Sequence, residues 1–126
     1  MSDFKVKNGI EIKGVTTRHI GKENISHSSY IIDGSVNILF MGDSSPLEWK
    51  NITLDKNPDV IIAPFAYATT ESSWRITEKF NPKLVILVHF PLYENDTFGI
   101  WDSVRNVIKD DDRVCIPQIG EKILFK

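Results

Sequence analysis

The sequence predicts an α/β (α+β) domain, a mixed sheet with helices on one face, and three observations lead there. Segments 38–41, 60–63 and 84–88 are apolar at every position, the pattern of strands buried on both faces. Residues 69–80 and 98–109 instead carry their apolar side chains at helical spacing. Ahead of them, residues 10–17 alternate apolar and polar, and Asp33-Gly34 signals a hairpin between two further strands.

The chain has 126 residues, enough for a single domain over 1–126 with a modest core. A net charge of −2 gives no electrostatic case for binding nucleic acid or a membrane surface. No apolar run approaches the ~20 residues that span a bilayer. Residues 1–5 lack the apolar stretch of a signal peptide. The single cysteine, Cys115, leaves no internal disulfide and fits a reducing, cytoplasmic setting. Its neighbours Val114 and Ile116 mark it as a small core residue.

In order, residues 10–17 read as a strand, 18–27 as a polar loop, and 28–33 and 36–41 as strands, making an antiparallel meander. Residues 47–51 suit a short helix. Strand 59–63 is stopped by Pro64, and helix 69–80 opens on Thr69 or Thr70 as its cap and ends at Asn81-Pro82. Strand 84–88 leads directly into His89. Helix 98–109 carries Trp101, Val104 and Ile108, and 113–116 and 122–125 are short strands around a turn at 117–120.

Strand direction then gives a functional expectation. In a meander the first and third strands run the same way, and βαβ-type crossovers keep the next two parallel to them. Their carboxyl ends carry His19, Asp43 and His89, gathered at the sheet edge where open α/β sheets hold ligands. Two imidazoles and a carboxylate suit zinc, iron or manganese. His27 opens the second strand and is assigned a supporting role, ordering the loop or a ligand. Tyr30, Tyr67 and Tyr93 are assigned to packing, and the run Asp110-Asp111-Asp112 to a solvated helix end. Trp49, Phe65, Tyr67 and Tyr93 flank the edge, where packing is again their expected use.

Five short segments carry a family resemblance: Thr17-Arg18-His19; His27-Ser28-Ser29-Tyr30-Ile31-Ile32; Leu39-Phe40-Met41-Gly42-Asp43; Val60-Ile61-Ile62-Ala63-Pro64; and residues 82–90, ending in His89-Phe90. In this order and spacing they resemble the C-terminal half of a metallo-β-lactamase superfamily metal-dependent hydrolase, in its lactonase-like branch. The closing residues 116–121 also resemble that family's C-terminal hairpin. The resemblance implies half of an αββα sandwich with one or two zinc ions at its edge. His19 would ligate one metal, Asp43 would bridge both, and His89 would ligate the other. Water made acidic by the metals would attack an ester, lactone or phosphodiester of a small-molecule substrate.

The family's His-x-His-x-Asp-His motif is absent, since the three histidines stand at 19, 27 and 89. The resemblance therefore implies an incomplete site, inactive in the isolated chain, and an uncovered sheet face. A complementary N-terminal half would supply the missing ligands, whereas a homodimer would cover the face with the wrong ones. The competing expectation is a non-catalytic half-domain that self-associates or binds a partner through that face. A Gly-rich phosphate loop, Gly-x-Ser-x-Gly and Cys-x-x-Cys are all missing.

Overall fold

In the computed structural model, which describes residues 2–5 and 8–125, seven strands lie side by side in chain order. They are β1 (Ser2–Lys5), β2 (Glu11–His19), β3 (Lys22–Asp33), β4 (Ile38–Phe40), β5 (Val60–Pro64), β6 (Leu84–Val88) and β7 (Val114–Cys115). Strands β1 to β4 are antiparallel neighbours and β4 to β7 parallel ones. The fold is thus mixed α/β, with the directions that the meander implies.

The strand order also explains where the helices sit. β4 connects to β5 through a 3-10 turn at Pro46–Trp49, β5 to β6 through helix α1 (Glu71–Glu78), and β6 to β7 through helix α2 (Ile100–Ile108). Each is a crossover between parallel neighbours, and the strands advance across the sheet in one direction. Right-handed crossovers in such a series all fall on the same face. On that face Leu39, Ile61 and Val85 are cross-strand partners with no exposed surface. They join Trp49, Trp74, Phe80 and Val104 in the core.

Local chemistry sets the helix ends. Thr70 caps α1 by accepting from the Ser73 amide at 3.2 Å. Just beyond α1, the Lys79 ammonium donates to the carbonyls of Trp49, Lys50 and Ile52, the last two at 3.0 and 2.8 Å. It thereby gives a donor to carbonyls at and just past the end of the short 3-10 turn, of which that of Trp49 also accepts the Ile52 amide at 3.3 Å. Trp49 also packs edge-on against Phe80, with ring centroids 6.2 Å apart.

The opposite face is apolar across the sheet. One row runs Ile12, Ile32, Ile38, Val60, Leu84, and the next Tyr30, Phe40, Ile62, Ile86, Cys115. Val60 is buried, but Tyr30 and Phe40 are 37% and 38% exposed, and Ile38, Ile62 and Ile86 are half-buried. Cys115 belongs to this row, half-buried. Burial, then the carboxylate of Glu121, pushes its thiol up and away from thiolate reactivity.

Three expectations are corrected. The loop placed at 18–27 is a two-residue hairpin turn at Ile20-Gly21 between long strands β2 and β3. Gly21 takes the left-handed conformation there, φ 69°. The strand placed at 122–125 is irregular chain, in which Leu124 is 81% exposed and finds no face to bury against. Strand β1 was not anticipated, and it pairs along Glu11–Gly14 of β2. The helices expected at 69–80 and 98–109 are α1 and α2, a little shorter at both ends, and Thr70, one of the two expected caps, is the N-cap of α1.

Candidate functional site

Asp43 lies just past β4, on a turn held from both sides. The hairpin end of β2 clasps it: the Ile20 amide donates to the Asp43 carbonyl and the Ser45 amide to the Arg18 carbonyl, both at 2.8 Å. Beneath it, the Tyr67 hydroxyl donates to the Ser44 carbonyl at 2.7 Å, and the Ser44 hydroxyl pairs with the Tyr67 oxygen at the same distance. The Trp49 indole donates to the Ser44 hydroxyl oxygen at 2.9 Å. All three side chains are fully buried, and burial pushes the Tyr67 phenol well above its usual range. Tyr67 and Trp49, expected only to pack, therefore fasten the turn that carries Asp43. Nothing in the position of Tyr67 signals this, because its partner Ser44 is 23 residues away.

All three histidines of the chain meet this turn. His19 Nε2 stands 3.8 Å from Asp43 Oδ2, and His89 Nε2 stands 3.4 Å from Asp43 Oδ1. Each imidazole thus faces its own carboxylate oxygen. His19 Nδ1 lies 2.8 Å from the Ile20 carbonyl, which can only accept. Nδ1 therefore carries the hydrogen, and in the neutral ring Nε2 presents a lone pair toward Asp43. His89 reaches Asp43 from a left-handed backbone, φ 67°, unusual outside glycine and asparagine.

His27 meets the same turn differently. Its Nε2 accepts the Asp43 amide at 3.1 Å, and its Nδ1 lies 3.3 Å from Thr17 Oγ1. The Thr17 hydroxyl donates to the His27 carbonyl, so Nδ1 donates to Thr17 and Nε2 is the acceptor. That leaves His27 no free lone pair, and it holds the Asp43 backbone instead. Gly42 makes room for this contact. Its φ is 62°, and a Cβ there would come within 2.5 Å of His27 Cε1.

The edge thus brings together His19, Asp43, His89 and His27. Among the described residues no three His, Cys, Asp or Glu side chains are grouped so as to hold one metal ion. Cavities of about 210 and 390 Å³ lie at the other end of the sheet, near Asp33, away from these residues. No helix among the described residues is long and apolar enough to cross a membrane. Compared with known proteins, the chain matches no protein-family model and no curated protein.

Proposed function

We propose that the carboxyl edge of the sheet is part of a metal-dependent hydrolytic site, with His19, Asp43 and His89 as ligands and His27 supporting Asp43. One observation carries the reading: a single carboxylate presents one oxygen to each of two imidazole Nε2 atoms. A lone pair facing a carboxylate oxygen is repulsive unless a cation or a proton stands between them. At 3.4 and 3.8 Å the atoms are too far apart for good direct hydrogen bonds. Donors about 2.0–2.2 Å from a zinc ion stand about as far from one another. The donor set fits zinc, with iron or manganese also acceptable to nitrogen and carboxylate oxygen. Among the described residues no three such side chains are grouped to hold one ion, so further ligands would have to come from another segment or chain. When bound, the metal would supply Lewis-acid polarisation and a hydroxide nucleophile for an ester, lactone or phosphodiester. The chain's own part is to fix the carboxylate: His27 and Gly42 set its backbone, and Ser44 with Tyr67 and Trp49 anchors the turn.

The test is metal content of the purified protein after loading with zinc, iron or manganese, beside Asp43→Ala and His89→Ala. About one equivalent in the wild type, lost in both variants, supports the reading. No metal under any loading condition refutes it for the isolated chain.

The uncharged apolar face favours a second reading, a non-catalytic half-domain whose partner is another copy of the chain or a complementary half. Light scattering separates this from a self-sufficient fold: dimers or larger species support it, and a clean monomer at high concentration does not.

A further inference from the structure

We propose that the segment after His89 and the outer side of α2 form a stacking site for the aromatic ring of an anionic ligand, so that the substrate class is an aryl phosphate. The word substrate rests on the hydrolase reading; ring binding itself does not. Phe65 and Phe90 follow the carboxyl ends of β5 and β6, so they begin where the candidate ligands end. From them a line of rings leads outward: Phe65 to Phe90 at 5.9 Å between centroids, Phe90 to Trp101 at 4.3 Å, and Trp101 to Tyr93 at 6.2 Å.

The line is built rigidly. The Trp101 indole donates to the Pro91 carbonyl at 2.9 Å. The Asp96 carboxylate accepts the amides of Ile100 and Trp101 at 2.8 and 2.9 Å, which fixes the segment to the start of α2. Its outer end is open, with Tyr93 62% and Leu92 56% exposed. Within α2, Val104 is fully buried and Ile100 packs on the core, whereas Trp101 is only half-buried.

Charge decides the occupant. The Arg105 guanidinium lies 5.6 Å from the Tyr93 ring centre and 5.9 Å from that of Trp101. Its carboxylate neighbour Asp102, at 3.8 Å, is well exposed and holds it loosely. A ring laid against the exposed part of Tyr93 meets an aromatic surface, and an anion on that ring meets the neighbouring Arg105. A plain aliphatic group would gain the burial but neither the stacking nor the charge contact.

The test is nitrogen-15 NMR of the metal-free full chain, titrated with phenyl phosphate, cyclohexyl phosphate and benzyl alcohol. Trp49 and Trp74 are 0% and 3% exposed, so the Trp101 indole is the reporting signal. Phenyl phosphate is expected to shift that indole and the Tyr93 amide saturably, and to bind about two- to tenfold more tightly than cyclohexyl phosphate. Tyr93→Leu should remove most of that preference, and Arg105→Gln should erase the preference for phenyl phosphate over benzyl alcohol. Both residues are on the surface, so folding is not at stake. Equal affinity for the two phosphates, or shifts that spare Trp101, overturns the proposal. Ring binding by a wild-type chain that takes up no metal under any loading condition would sink the hydrolase reading while leaving this site standing.

Discussion

Replacing Gly42 by alanine tests the architecture of the edge most directly. Two separate penalties meet at this residue. Its backbone is left-handed, φ 62°, which costs a residue with a side chain about 1–2 kcal/mol. The new Cβ would also stand 2.5 and 2.7 Å from His27 Cε1 and Nε2, too close for any Cβ. The imidazole must then swing away from the Asp43 amide, stranding a bond worth roughly 0.5–1.5 kcal/mol or more, since its partners are part-buried. Gly42→Ala is therefore expected to lose about 2–4 kcal/mol in urea unfolding. In a His27→Ala background the ring is gone, and the same change should cost only about 1–2 kcal/mol. The difference between the two costs measures the contact. Equal costs in both backgrounds, or a cost under about 0.5 kcal/mol in the wild type, would refute the view that Gly42 exists to admit His27.

Two further outcomes follow from the surroundings of the core. Lys79→Met keeps the aliphatic stem but removes the charged donor shared by three carbonyls, of which that of Trp49 keeps the Ile52 amide; about 1–3 kcal/mol of stability should vanish, read as a shift in urea midpoint at unchanged slope. The Arg113 side chain donates to Asp111 and holds that carboxyl below its ordinary 3.8, while also reaching Glu78 at the end of α1. A carboxyl depressed in the folded state contributes stability that is complete above 3.8 and fades as pH falls below it. Asp111→Asn should accordingly lower thermal stability at neutral pH and flatten the acid limb, whereas an unchanged acid limb would show that the pair contributes nothing.

Much of the edge was legible before any coordinates. Unbroken apolar runs at 38–41, 60–63 and 84–88, separated by crossover-length segments, imply parallel central strands, and strand direction alone then places Asp43 and His89 on one edge. His19 joined them because an odd number of reversals does not separate the first and third strands of a meander. The hairpin at 18–27 was illegible for a physical reason. There the paired residues are polar, Arg18 with Ser26 and His19 with Lys22, which leaves no apolar alternation to read. Residues 122–125 fail in the opposite sense, since apolar content makes a strand only beside a strand with free hydrogen-bonding groups.

What the sequence determined by itself is the run of strands β2 to β6, their directions and the chemistry waiting at their ends, because periodicity and chain reversal are local properties. Only the tertiary structure decided how that chemistry is held. His27 spends its lone pair on the Asp43 amide, Ser44 is locked by Tyr67 and Trp49, and Arg105 comes to lie over two rings. The contacts of His27 with Asp43 and of Ser44 with Tyr67 join residues 16 and 23 positions apart, and their existence depends on distances that no spacing rule encodes.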